Sequence, residues 1–528
     1  MDCTSRWNWY YVHSSVSTAK TVEMPTKAER PRLWLQDDEA EQALARQHEL
    51  GQFLTPDPVA NFMASLFRLH PPSIRLLDAG AGDGALTAAL VRRSCREHRK
   101  PKEITVTAYE LDSALLGRLS ATLSACRLEC ERADIAFSAT VHNTDFIESV
   151  VPMVRKDLFA PGPPRFNVAI LNPPYRKIRS GSATRLLLRS AGIETSNLYT
   201  GFLALAVRLL TDGAEMVAIT PRSFCNGPYF RPFREDFLAS MSLRRLHIFE
   251  SRSAAFNGDD VLQENIIVHA VKSADKPDFT TISTSSGEPG APVRDYTVPY
   301  HDVVAPGDPE KFIHLVTDAG QARAKNAMGS LSSTLSDLGL SVSTGRVVDF
   351  RAESFLRQQP CHNTVPLIYP CHFSGAYVRW PRDNGRKPNA IVADDETRDL
   401  LVPSAIYVLV KRFTSKEERR RVVACIFDPH RVAAEAVGFE NHLNYYHLSG
   451  HGLSMALAKG LAAFLNSTLV DVYFRQFNGH TQVNATDLRN LRYPTRHQIE
   501  HIGRLIEDPA ADQEAIDRLL EKELDVKT

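Results

Sequence analysis

Two short stretches of this 528-residue chain combine residue types that can serve chemistry. The first is DAGAGDG, residues 78–84, at the exit of a strand-like run. Glycines there let the backbone turn tightly and let a ligand approach with no β-carbon in the way. Alone, the stretch also fits a plain tight turn or, through Gly80, Gly82 and Ala85, a loose dinucleotide-binding pattern. The second is Asn172–Pro173–Pro174–Tyr175, directly after the apolar run VAIL at 168–171. Pro173 forces Asn172 out of the helical region and Pro174 does the same to Pro173, giving a rigid, extended turn. The Asn172 amide oxygen and the Pro173 carbonyl can then both accept from one amine. Held that way, the amine turns its lone pair toward an incoming methyl group. Tyr175 supplies a face on which a planar base can stack, worth about 1–3 kcal/mol. The alternative is a proline strand terminator followed by a core tyrosine.

Other groups stand at neighbouring strand ends. Glu110 closes the run EITVTAYELD (103–112), where a carboxylate can accept ribose hydroxyls. Asp145 and Phe146 close SATVHNTDF (138–146), offering an acceptor for an exocyclic amine and a ring, which suits the base of an adenosyl cofactor. Each acid alone also fits a solvated strand end. Asp78, Glu110 and Asp145 at three successive strand ends make the stronger pattern.

The elements that must carry these residues alternate apolar β-runs with helical segments, the signature of a doubly wound parallel sheet. Strands are expected at 73–80, 103–112, 138–146, 165–175 and 215–224, with a closing pair at 244–251 and 264–273. Helices are expected at 37–50, 85–95 and 197–210. Residues 273–295, rich in Ser, Thr, Pro and Gly, interrupt the rhythm and read as a domain junction. Beyond them lie short strand-like runs (VPLIYP, AIYVLVKRF, RRVVACIFD), a helical part at 453–477 and a charged terminal helix.

The glycine loop followed by NPPY resembles the S-adenosylmethionine-dependent amino-methyltransferases that modify adenine or cytosine in DNA. GQFLTP (51–56) is similar to the family element that closes over the methionine end of the cofactor. The order of element, glycine loop, catalytic motif and recognition region is that of the gamma class. NGHTQVNATDLRNLRYP (478–494) resembles the end of the recognition domain in adenine-N6 enzymes of type II restriction–modification systems. The resemblance implies an α/β fold: a doubly wound, Rossmann-like methyltransferase sheet with a mixed α+β C-terminal target-recognition domain. It implies a lead-in at 1–36, a catalytic domain at 37–275, a recognition domain at 296–500 and a terminal helix at 501–528. It places Thr55 and Asp78 to Gly82 on the methionine moiety, Glu110 on the ribose, and Asp145 and Phe146 on the cofactor adenine. Asn172, Pro173, Pro174 and Tyr175 engage the target adenine, with Phe256 as a second stacking ring. Asn172 favours adenine, since cytosine-N4 enzymes more often carry Ser there. Other planar amines (cytosine N4, an RNA base, a protein glutamine) fit the same acceptors, but such enzymes usually end sooner after the motif. A dinucleotide-binding module without catalysis would leave NPPY without a purpose.

The chain carries 62 Lys and Arg against 62 Asp and Glu, so contact with double-stranded DNA must rest on local patches. Residues 341–420 hold 13 basic against 9 acidic side chains. The tightest cluster is KRFTSKEERRR, with Lys411, Arg412, Lys416, Arg419, Arg420 and Arg421, expected as the basic tip of a β-hairpin. A solvated turn is the alternative. With 43% hydrophobic residues, no apolar run near the ~20 residues that span a bilayer and no leader-like N-terminus, a cytoplasmic, monomeric protein with no membrane contact is expected. No metal is expected: Cys126 and Cys130 lack partners at ligand spacing, and His442, His447 and His451 are read as solvated or packing residues. No acidic–lysine nuclease motif is evident, so a cognate restriction endonuclease would be a separate protein.

Overall fold

The computed structural model describes residues 53–68, 72–155, 162–250, 264–287, 290–383, 385–414, 418–478, 482–507 and 512–526. The lead-in 1–36, the helix expected at 37–50, Phe256 and Lys416 lie outside them. Helix α1 (Asp57–Ser65) follows the TP dipeptide, with Pro56 as its cap and a second proline in its first turn. The chain then alternates: β1 (Ser73–Ala79), α2 (Ala85–Arg96), β2 (Glu103–Tyr109), α3 (Leu116–Arg132), β3 (Ala136–His142), α4 (Phe146–Arg155) and β4 (Phe166–Leu171). It continues through α5 (Ala183–Ser190), α6 (Leu198–Leu209), β5 (Leu210–Pro221), α7 (Arg231–Ser240), β6 (Met241–Phe249) and β7 (Asn265–Lys272).

These strands lie in one nine-stranded mixed sheet of order β3-β2-β1-β4-β5-β7-β6, extended by β8 (Phe279–Ser285) and β9 (Arg294–Pro299). The first five strands are mutually parallel; β7 runs antiparallel to both β5 and β6. Strand residues alternate between two helical layers. Val168 and Ile170 of β4 join the core under α1, α2 and α3, while Ala169 and Leu171 join the core under α4, α6 and α7. Strand order reverses between β1 and β4, so their carboxyl ends flank a crevice at a topological switch point. DAGAGDG leaves β1 there and NPPY leaves β4.

The expected junction at 273–295 is corrected. It supplies β8 and the first residues of β9, and the chain leaves the sheet only after Pro299. Two of its serines are core residues: Ser283 and Ser285 hydrogen-bond the two ring nitrogens of buried His247, each at 3.0 Å.

The rest of the chain is mixed α+β. A six-stranded sheet contains the antiparallel pair Tyr407–Lys411 and Ala424–Phe427, and a five-stranded sheet packs nearby. The helical part expected as one run divides at Ser467, which caps a second helix, giving Met455–Leu465 and Thr468–Phe477. Among the described residues no single helix is long and apolar enough to cross a membrane, and this bent pair is core. The boundary expected at 500/501 falls inside the helix Arg496–Leu505, which packs into that core together with Gln513–Leu524. Gly460 and Gly503 permit this approach: a β-carbon on either would meet the opposing backbone oxygen within 1.9 Å.

Candidate active site

The glycine loop is held by the neighbouring strand. The Gly80 and Ala81 amides both donate to the Tyr109 carbonyl at 2.9 Å. Gly80, Gly82 and Gly84 all have positive φ, which L side chains adopt only at a cost. A β-carbon on Gly82 would lie 3.0 Å from Leu54, so the 53–55 segment covers the loop. Helix α2 begins at Ala85, and its amino end faces the same turn.

Asp78 is fully buried, and its Oδ2 accepts from Thr87 Oγ1 at 2.6 Å while Oδ1 has no hydrogen-bond partner. Burial raises its pKa to about 7, with the Thr87 bond working against that rise. Glu110 is buried as well. Its Oε2 accepts from the Gly82 amide and its Oε1 from the Asp112 amide, both at 2.7 Å, so this carboxylate ties the glycine loop to the end of β2. Asp145 Oδ1 accepts from the Ile147 and Glu148 amides at 2.7 and 3.0 Å, capping α4. Phe146 is only 2% exposed, its ring packed at 5.0 Å against Tyr109 and against Phe202. Leu111, not singled out from sequence, is 51% exposed beside Glu110.

The two motifs meet across the β1–β4 crevice: a β-carbon on Gly80 would lie 3.8 Å from the Asn172 backbone oxygen. The Asn172 side-chain NH2 donates to the Phe53 carbonyl at 2.6 Å and to Thr55 Oγ1 at 3.0 Å. Both amide hydrogens are therefore committed to the 53–55 segment, and Oδ1 is left on the other side as an acceptor. Pro173 is buried and Pro174 half-buried in the turn. The half-buried Tyr175 ring lies 5.8 Å from Phe53 and edge-on to Tyr199 at 6.3 Å. Burial holds the Tyr175 hydroxyl well above its usual pKa, so the ring stays neutral. Tyr199 is fixed by a 2.9 Å hydrogen bond to Ser223 and by Phe230. Sequence reasoning missed Tyr199, Ser223 and Phe230: Tyr199 lies in the first turn of α6, the helix that leads into β5, and Ser223 and Phe230 follow β5, the strand next to NPPY.

The basic cluster divides. The hairpin pairing is present, with Tyr407 opposite Phe427 and Val410 opposite Ala424. Arg419 is exposed and Arg420 half-buried. Lys411 lies 5.9 Å from the Phe373 ring, and half-buried Arg412 donates to Asn441 O at 3.1 Å. Arg421 corrects the expectation of a surface cation, being 2% exposed. Its guanidinium donates to the Thr414 carbonyl and, at 2.6 Å, to Asn478 Oδ1, while its amide donates to Asp471 at 2.7 Å. Burial lowers its pKa to about 10, so it stays charged as an internal brace. Of the histidines with suggestive spacing, His442 bonds Glu440, and His447 accepts from the Gly450 amide and contacts Ser343 Oγ at 2.9 Å.

A family profile described as the Eco57I restriction-modification methylase matches residues 121–256, which include NPPY. Two proteins are each 44% identical to this chain. The type II methyltransferase M.PstI of Providencia stuartii aligns over 90% of this chain and 93% of its own. The type II methyltransferase M.BsuBI of Bacillus subtilis aligns over 88% and 91%. Among solved structures, the DrdV–DNA complex covers 87% of this chain and 57% of its own, at 11% identity and a TM-score of 0.46. With identity of this extent along nearly the whole length, the chain belongs to the type II methyltransferases of restriction–modification systems.

Proposed function

We propose that the protein transfers a methyl group from S-adenosylmethionine to the exocyclic N6 of an adenine flipped out of double-stranded DNA, protecting that DNA from a separate cognate restriction endonuclease. The observation that carries this reading is the clamp on Asn172: its side-chain NH2 is held by Phe53 O and Thr55 Oγ1, which leaves Oδ1 as its acceptor, and its backbone lies against the glycine loop at Gly80. The residues present fit the cofactor: Asp78 has an unpartnered, buried oxygen, and the positive φ of Gly80 and Gly82 makes the tight turn that this loop needs at the end of β1. Asp78 and the Gly80–Gly82 turn would hold the methionine moiety, Thr55 closing over it. Glu110 would face the ribose and Asp145 the base, with Leu111 and Phe146 as apolar walls.

When bound, the cofactor supplies a methyl already activated on a sulfonium. The work of this chain is positioning. Asn172 Oδ1 and Pro173 O accept the two hydrogens of the target amine and aim its lone pair. Tyr175, braced by Phe53 and Tyr199, stacks on the flipped base, offsetting part of the few kcal/mol that flipping costs. Phe256 would supply a second ring. Lys411, Arg412, Lys416, Arg419 and Arg420 would meet DNA phosphates, in a recognition half that begins after Pro299.

Sequencing that detects modified bases, applied to DNA from cells expressing the chain, tests this. Methylated adenine at one short recurring site is expected; DNA modified only at cytosine, or unmodified, would overturn it.

A further inference from the structure

Arg222 is the first residue after β5 and is 6% exposed, yet its interactions reach into the other half of the molecule. One guanidinium nitrogen donates to the Arg475 and Gln476 carbonyls at 2.7 and 2.8 Å. These carbonyls belong to the last turn of the helix Thr468–Phe477, where backbone oxygens have no intrahelical partner and the helix dipole is negative. The other terminal nitrogen pairs with Glu264 at 3.1 Å, and the Arg222 amide donates to the Glu264 carbonyl at 2.7 Å. Arg222 thus caps a recognition-half helix while fixed to the strand ends of the catalytic sheet.

Neighbouring residues extend this link in both directions. Beyond the capped helix, Asn478 accepts from Arg421, and the Val483 amide donates to the Arg412 carbonyl at 2.7 Å, joining the helix end to the basic hairpin. On the catalytic side the next residue, Ser223, bonds the Tyr199 hydroxyl, and Tyr199 stands edge-on to Tyr175. From hairpin to Tyr175 the connection is continuous and largely buried.

We propose that Arg222 is a positioning residue for methyl transfer: through the capped helix on one side and Ser223–Tyr199 on the other, it sets the NPPY tyrosine in register with the DNA-reading half. The rate part of this inference rests on the function proposed above; the mechanical part does not. Lysine could not replace it, since a single ammonium cannot span two carbonyls and a carboxylate in the planar geometry of a guanidinium.

The test uses the full chain with Arg222→Ala, Arg222→Lys, Ser223→Ala and Ser223→Thr. Hydrogen exchange on the free protein is independent of any substrate. In Arg222→Ala, peptides covering Thr468–Phe477 and peptides covering residues 172–178 and 198–203 should all lose protection. Single-turnover methylation at saturating cofactor and duplex should fall by about tenfold or more, with cofactor and duplex affinities within about twofold of wild type. Arg222→Lys should recover little, Ser223→Ala should show the rate loss without loosening Thr468–Phe477, and Ser223→Thr should restore it. Loss of protection at Thr468–Phe477 alone, or a rate that falls only with the folded fraction or with duplex affinity, would make Arg222 a structural cap and overturn the proposal. If Arg222→Ala fails to fold, the Ser223 pair decides: equal rates for Ser223→Ala and wild type overturn the relay. A wild-type protein that methylates no DNA refutes the proposed function instead, and the exchange result then judges the mechanical link by itself.

Discussion

Replacing Thr55 with Val removes one oxygen from the site and nearly nothing else, because the two side chains share a shape. That oxygen accepts one of the two Asn172 amide hydrogens at 3.0 Å; the other goes to the Phe53 carbonyl. Without it the amide keeps a single anchor, and a poorly solvated N–H left without a partner costs about 1–3 kcal/mol. The side chain can relieve that cost only by rotating, which swings Oδ1 away from the target amine. If the whole cost appears in the transition state, at about 1.4 kcal/mol per decade of rate, methyl transfer slows by about 5- to 150-fold. Single-turnover methylation at saturating cofactor, with cofactor affinity measured by calorimetry, separates two roles. Thr55→Val should lose rate and keep affinity, and Thr55→Ser should recover the rate. An unchanged rate with weakened cofactor binding would refute the reasoning and return Thr55 to the methionine pocket alone.

The structure also sets the outcome of four further substitutions. Glu110→Ala leaves the Gly82 and Asp112 amides without their acceptor, so cofactor affinity should fall by about tenfold or more in calorimetry while the chain stays folded. Arg421→Ala should lower stability by about 3 kcal/mol or more in denaturant unfolding, because it strips bonds from a buried network, whereas Arg419→Ala should leave stability alone and flatten the salt dependence of DNA binding by about 0.9 log units. Asp78, raised to about 7 by burial, is stabilising while protonated: that contribution is full below its unfolded pKa near 3.8 and lost as pH rises through about 7. Melting curves should therefore show Asp78→Asn gaining on wild type between about pH 4 and 7 and running parallel to it above, and curves parallel throughout would contradict the shift.

The catalytic half was legible because its chemistry is local. DAGAGDG and NPPY each fix their own backbone, and β1, β2, β4 and β5 are apolar runs with turn residues at their ends. Strands β8 and β9 were not, since FTTISTS is a core strand made of small polar residues whose hydrogen bonds go to His247, a partner about 36 positions away. Arg421 was misjudged for the same physical reason. In a run of charges nothing local distinguishes the residue whose partners, Asp471 and Asn478, stand some fifty positions downstream. The tie from Thr55 to Asn172 spans 117 positions, so the segment was recognisable as an element while its bond was not. Tyr199 lay inside a helix whose pattern announced only burial.

Delivery of a methyl group to adenine N6 by Asn172 and its neighbours is the centre of the proposed chemistry. The direct measurement incubates purified wild-type and Asn172→Ala protein with S-adenosylmethionine and duplex DNA, digests the DNA to nucleosides and identifies the product by mass spectrometry. N6-methyldeoxyadenosine is expected from the wild type and none from Asn172→Ala, with cofactor affinity retained in both. N4-methyldeoxycytidine from the wild type, or equal yields of methyladenine from the two proteins, would contradict it.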